Sequence, residues 1–235
     1  IKLENIQMNI YIFRRDLRIM DNTTLNKVID YYKGNINPIF IFTPEQIDRE
    51  KNKFFSDRLV QFMCESLISL DRSLKGQLTF FNGDIIKILN KLHKKYGVNS
   101  ISFNHDYSPY SKKRDNDIIN WAQGKSIKII TEEDMLLVPI SKLANLKADK
   151  TPYVKFTPFK KKTYGCLKNV VVTKPKYVIN SKNITIKDVI KSSSFKNFYK
   201  HSSHFHVEGG RTAAIKTLNL LSKQIDYEIS RDIIH

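Results

Sequence analysis

Two stretches concentrate residue types that can do chemistry. In the first, the apolar run Ile10-Tyr11-Ile12-Phe13 gives way at once to Arg14-Arg15-Asp16-Leu17-Arg18, and Asp21-Asn22 follow. The second is Asn104-His105-Asp106-Tyr107-Ser108-Pro109-Tyr110, again directly after an apolar run. Each run reads as a buried parallel strand whose carboxyl end carries charge. In open α/β sheets that edge is where ligands sit. Two plainer readings fit the same residues: a solvated turn in which Asp16 pairs with Arg18, and Tyr107 and Tyr110 packed under the next helix. Other chemistries find little support. No Gly-rich phosphate fingerprint follows the first strand, which argues against a dinucleotide dehydrogenase. No Gly-x-Ser-x-Gly elbow or His-Glu-x-x-His helix occurs, and Cys64 and Cys166 make no metal spacing. Asp84, after Asn82-Gly83, is better placed to cap a helix than to act as a catalytic acid.

The elements that must position these groups alternate. Strand-like runs lie at Asn9–Phe13, Asn37–Thr43, Leu78–Asn82, Ser100–Asn104 and Lys128–Thr131, with helical patterns near 22–33, 54–75, 84–96 and 111–124. Asp21 or Asn22 caps the first helix. In the second, Leu59, Phe62, Met63, Leu67, Leu70 and Leu74 keep helical spacing and predict one apolar stripe. The alternation predicts an α/β fold: a Rossmann-like five-stranded parallel sheet with helices on both faces. From 141 to 205 the chain is rich in Lys, Ser and Asn and weakly periodic, which predicts a long, partly irregular linker. Helical character returns near Gly210–Ile225, with Ala213, Ala214, Leu218, Leu221 and Ile225 on one face.

The order of these segments resembles the photolyase and cryptochrome family. Phe13-Arg-Arg-Asp-Leu-Arg18-x-x-Asp21-Asn22 resembles the family's opening. Asn104 to Asp115, Leu137-Val-Pro139, Tyr153-Val-Lys-Phe156-Thr157-Pro158-Phe159 and Glu208-Gly209-Gly210-Arg-Thr212-Ala213-Ala214, followed by Tyr227-Glu228-x-x-Arg231-Asp232, resemble later family segments in the same order. The resemblance implies an antenna-type α/β domain over 8–140, an interdomain linker over 141–205, and the start of a helical FAD-binding domain over 206–235. Family members are considerably longer than this chain of 235 residues. The expectation is therefore a truncated piece, inactive alone, because the family's Thr-Ser-x-Leu-Ser-Pro segment is not reached. Met8, directly before the first strand, is expected to be the natural start.

By the same resemblance, Arg15, Arg58 and Asp106 match positions that contact an antenna chromophore, and are expected to converge at the carboxyl edge of the sheet. An aspartate and two guanidinium groups suit a polar heteroaromatic ring with ionisable substituents. Ser108 stands where folate-binding members often have a glutamate, which favours a deazaflavin- or flavin-like antenna over folate. Tyr227 matches a tyrosine that contacts the FAD phosphate, and Arg231 one near the DNA face. FAD is expected only if the rest of that domain is supplied, for example by a separately encoded half. Damaged DNA is the implied partner of the complete protein, a deoxyribodipyrimidine photolyase that splits pyrimidine dimers with light. The alternatives are a fragment of a cryptochrome-type blue-light receptor and a non-catalytic chromophore- or nucleotide-binding remnant.

Composition adds less. The formal charge of +17 points to a polyanionic partner, but the basic residues are mostly lysine and are spread along the chain. Two cysteines without a disulfide framework suit a reducing intracellular setting. No apolar run reaches transmembrane length and no signal peptide is evident, so a membrane partner is not expected.

Overall fold

The computed structural model describes residues 8–143, 147, 149, 151–167, 172–202 and 207–221. In chain order the elements are β1 (Met8–Ile12), α1 (Thr23–Tyr31), β2 (Asn37–Phe42), a one-turn α2 (Pro44–Ile47), α3 (Asp57–Ser73), β3 (Thr79–Asn82), α4 (Ile85–Tyr96), β4 (Val98–Asn104), α5 (Pro109–Gln123), β5 (Lys128–Glu132), α6 (Ile140–Leu143), α7 (Phe156–Leu167), β6 (Val189–Ile190), a 3-10 turn (Ser192–Asn197) and α8 (Arg211–Asn219). The strands order as β5-β4-β1-β2-β3-β6. β1 to β5 are parallel, as the alternation predicts. The sheet has a sixth strand, β6, antiparallel to β3 and drawn from the stretch expected to be linker.

Strand side chains alternate between two cores. Tyr11 and Phe13 join Leu25, Ile29, Leu67 and Leu70 under α1 and α3. Ile10 and Ile12 join Leu89, Leu92, Ile118 and Ala122 under α4 and α5. Helices on both faces bury the central strands β1 and β2, which is why those two read as nearly unbroken apolar runs, whereas the edge-side β5 keeps Lys128 exposed.

Three of the helices that follow strands start on a side-chain cap. Asn22, not Asp21, caps α1, accepting from the Leu25 amide at 3.2 Å. Asp84 caps α4 through the Lys87 amide at 2.8 Å. Ser108 caps α5 through the Ser111 amide at 3.2 Å, with Pro109 at the first helical position. The α3 stripe coincides with the expected one at Leu67, Leu70 and Leu74 and departs from it in the first turns. Val60, Cys64, Leu67 and Leu70 are buried, whereas Leu59 is 67% exposed and Phe62 lies at the surface.

The segment 172–202 straps the molecule. Its backbone bonds to the loops on either side of α1: the Asp21 amide donates to Thr173 O at 2.8 Å, and the Asn180 amide to Gly34 O at 2.8 Å. Gly34 has φ +83°, and a Cβ there would sit 2.1 Å from Val178 O. Glycine is what lets the strap lie this close. Farther on, Phe195 is buried edge-on against Phe42 and Phe80. Tyr153 and Phe159 meet each other at 5.9 Å between centroids, and Phe156 is 72% exposed. Tyr227, Arg231 and Ile225 lie outside the described residues.

Candidate functional site

The carboxyl ends of β1 and β4 are joined by a buried polar network. Asp16 accepts from the Tyr11 hydroxyl at 2.5 Å, Asn104 Nδ2 at 2.7 Å, Asn22 Nδ2 at 3.1 Å and the Arg14 amide at 3.1 Å. Asn104 Oδ1 in turn takes the Thr24 amide at 3.1 Å. Burial, with Asp16 alongside, pushes the Tyr11 phenol well above its ordinary value. Asp16 does not pair with Arg18, as the solvated-turn reading would have it. Arg18 reaches Asp134 at 2.7 Å and the Asp21 carbonyl. Asp16 is therefore structural: it fixes the loop from which Arg14 and Arg15 project.

Arg14 turns inward. Its guanidinium lies over the Phe103 ring, 3.9 Å from the centroid, and its Nη1 is 2.5 Å from Asp115 Oδ1 on α5. Arg114 Nε donates to the same oxygen at 3.0 Å. Burial, with the Arg114 charge beside it, lowers Arg14 from its ordinary value to about 10. Arg15 turns outward, with Nη1 3.8 Å from Asp106 Oδ2. Burial disfavours the Asp106 charge. The Ser108 amide, the Ser111 hydroxyl and the Arg15 charge outweigh it and hold the carboxyl below its ordinary range.

Arg14, Arg15 and Arg114, but neither Asp106 nor Asp115, line a cleft of about 300 Å3. Phe13, Phe40, Ile41, Phe62 and Met63 supply apolar walls, and Arg14, Arg15, Arg114 and Tyr110 supply the polar points. The Tyr110 hydroxyl is 3.4 Å from Thr43 Oγ1, across the mouth of the cleft. The cleft adjoins a hollow of about 610 Å3 that shares Thr43, Ile85, Tyr110 and Arg114 with it and adds Lys87. Apolar walls with a few convergent polar groups are what a planar heteroaromatic ligand needs, so the residues present fit such a group.

The predicted residues divide. Arg15 and Asp106 meet at the carboxyl edge. Arg58 is in the first turn of α3, exposed, and does not line the cleft. Arg14, Arg114 and Asp115 were not singled out by sequence reasoning. Their only signal was membership of the charged segments after β1 and β4. Phe62, assigned to a core stripe, lines the cleft, and Met63 both packs against the core and lines the cleft. Among the described residues no group of His, Cys, Asp or Glu could hold a metal ion, and no helix is long and apolar enough to cross a membrane.

Comparison with known proteins agrees with this architecture. The DNA photolyase family model matches residues 9–178. The chain is 29% identical to the deoxyribodipyrimidine photo-lyase of Buchnera aphidicola (subsp. Acyrthosiphon pisum) over 97% of its own length and 48% of the relative's. It is 31% identical to a cryptochrome-1 of Aedes aegypti over 52% of its length and 23% of the relative's. Among solved structures, an archaeal photolyase from Sulfolobus tokodaii with two FAD molecules, described as implying a novel light-harvesting cofactor, superposes with a TM-score of 0.73 at 30% identity, covering 94% of this chain and 47% of that one. The chain thus spans about half the length of the photolyases it matches. With the family match covering well over half of its residues, the chain belongs to the DNA photolyase family.

Proposed function

We propose that this chain is the antenna-binding α/β part of a light-driven DNA-repair protein, a deoxyribodipyrimidine photolyase, and that its carboxyl-edge cleft holds a light-harvesting chromophore of the flavin or deazaflavin class. The observation that carries this reading is the cleft itself, apolar on its walls and bounded by Arg15 paired with Asp106. Such a chromophore supplies near-ultraviolet or blue absorption when bound. Phe13, Phe62 and Met63 would supply its apolar contacts, and Asp106, held below its ordinary range, would position the Arg15 guanidinium to hold it. Arg58 offers a second guanidinium from the α3 turn if its side chain swings inward. Tyr227 and Arg231 are proposed for FAD and DNA contact in the complete protein, with the remaining FAD-domain residues supplied by further or separately encoded sequence. The photolyase reading is favoured over a cryptochrome because the Buchnera photolyase aligns along 97% of the chain and the Aedes cryptochrome along 52%.

The test is chromophore binding by the purified chain. FMN, FAD and an 8-hydroxy-5-deazaflavin are titrated in turn, with fluorescence quenching and bound absorbance as readouts. One equivalent of at least one of them should bind. Asp106→Ala and Arg15→Ala should each weaken binding by about tenfold, the value of one charge-assisted contact. Absence of saturable binding by all three defeats the proposal.

A further inference from the structure

We infer that the free edge of β5 is a self-association surface, on which a second copy of this chain pairs antiparallel about a twofold axis at Ile130. The pairing is independent of what the cleft binds. The sheet ends on β6 at one side and on β5 at the other. β6 covers the edge of β3, whereas among the described residues no strand lies outside β5. Which of its backbone groups face out follows from the register. The His105 amide donates to Glu132 O at 2.9 Å, so Glu132 turns its backbone toward β4. Successive residues of a strand alternate in this respect. Lys128 and Ile130 therefore also face β4, and Ile129 and Thr131 hold their N–H and C=O outward. Two outward residues flanking a central one are what a twofold antiparallel pair needs. Ile129 would exchange both hydrogen bonds with the partner's Thr131, and Thr131 with the partner's Ile129.

The side chains are self-complementary in the same register. Lys128, Ile130 and Glu132 share the α1 face of the strand, where Lys128 donates to the Tyr31 hydroxyl at 3.0 Å and Glu132 pairs with Lys27. Across the twofold, Lys128 would meet the partner's Glu132, and Ile130 the partner's Ile130. Both fall in the closely spaced class of antiparallel pair. Native edges are commonly blunted by lysine or proline. Here the lysine at one end of β5 has a carboxylate at the symmetric position, and the strand contains no proline. Thr23, Lys27 and Tyr31 form the exposed row of α1 along this edge, and Tyr31, 62% exposed, would add aromatic area beside the paired strands. The carboxyl edges of the two sheets would point in opposite directions, which leaves both clefts open.

The full chain is followed by sedimentation velocity from micromolar to submillimolar concentration, at moderate salt because a charge of +17 makes the copies repel at low salt. A reversible monomer–dimer equilibrium is expected. Lys128→Glu and Glu132→Lys should each weaken it by about tenfold or more, although they move the net charge in opposite directions. A mixture of the two variants, and the chain carrying both substitutions, should dimerise about as tightly as the wild type, because each restores opposite charges across the twofold. Hydrogen exchange gives a readout in the unmodified chain. The Ile129 and Thr131 amides should gain protection as the dimer forms, while the Ile130 amide, bonded to β4 throughout, should not change. A chain that stays monomeric over the whole range, a dimer indifferent to both single reversals, or a dimer whose Ile129 and Thr131 amides still exchange freely overturns the inference.

Discussion

At the scale of single residues, the carboxyl edge depends on one amide more than on any charge. Asn104 donates to Asp16, to the Tyr11 hydroxyl at 3.1 Å and to Asn22 Oδ1 at 2.9 Å, and accepts from the Thr24 amide. Asn104→Ala would leave a buried carboxylate under-bonded and a buried amide unpaired. The expected loss is about 2–4 kcal/mol, read as a lower urea midpoint with an unchanged slope. A loss under about 1 kcal/mol would show the network to be accessible to water. The two cysteines make a second residue-scale contrast. Cys64 is fully buried, and burial pushes its thiol up to about 12, whereas Cys166 on α7 is partly exposed. The sign follows from proton binding. Above the ordinary thiol range the unfolded chain has lost the Cys64 proton while the native state keeps it, so stability present below that range falls as pH rises toward 12. The loss is at most about 1.4 kcal/mol per pH unit. A thiol reagent at neutral pH should accordingly modify Cys166 rapidly and Cys64 only as fast as the protein opens.

At the scale of elements, what was legible in the sequence was what local pattern encodes. β1 and β2 are short apolar runs ended by polar residues, and their length and flanking residues, with the regular alternation of strand and helix patterns, separate them from helix segments. The caps at Asn22 and Asp84 are equally local. β6 was not legible, because a two-residue strand is made by its partner Phe80–Phe81 and not by its own composition. The α3 stripe was right at Leu67, Leu70 and Leu74 and wrong at Leu59 and Phe62, because periodicity does not distinguish a core wall from a cleft wall; Phe62 lines the cleft and Met63 serves both. The Arg15–Asp106 pair was reachable only through family resemblance. The Arg14–Asp115 pair was missed because it joins the loop after β1 to the middle of α5, far apart in sequence. Helix α8 shows the same dependence on context. It has no buried residue, and Leu218 is 61% exposed. It is seated on α3 by Gly209, whose amide donates to Glu65 Oε2 at 2.8 Å and whose Cβ position lies 2.4 Å from Phe62 O. Amides of 211–219 are expected to exchange with solvent faster than those of β1 to β5. In Gly209→Ala, where an added methyl meets backbone with nowhere to shift, their exchange should accelerate further while the strands keep their protection. Protection of 211–219 equal to that of the strands would mean that α8 is already packed.

At the scale of the whole molecule, the sheet is completed from a distance. Without the strap, β3 would present an open parallel edge, and such edges template aggregation. The strap covers that edge with β6, wedges Phe195 among Phe42 and Phe80, and adds Ile179 to one core and Ile184 to the other. Three side chains buried at about 1.5–3 kcal/mol each are worth about 5–9 kcal/mol, comparable with the whole stability of a small domain. Ordering the strap opposes this, but its polar clasps are made at fixed points on the body: Gln77 Nε2 to Ile179 O at 2.8 Å, Asn37 Nδ2 to Lys182 O at 3.1 Å, and Lys91 to Asp188 at 2.8 Å. We therefore propose 8–202, not 8–140, as the smallest unit that folds alone. A fragment ending at 143 should be insoluble or unfold at a urea midpoint far below that of 8–202. Ile179→Ala with Phe195→Ala in the longer fragment should lower stability by about 5 kcal/mol or more. Were the short fragment as stable as the long one, the strap would be a passive covering, and the cleft-bearing domain would end at β5 and the loop after it.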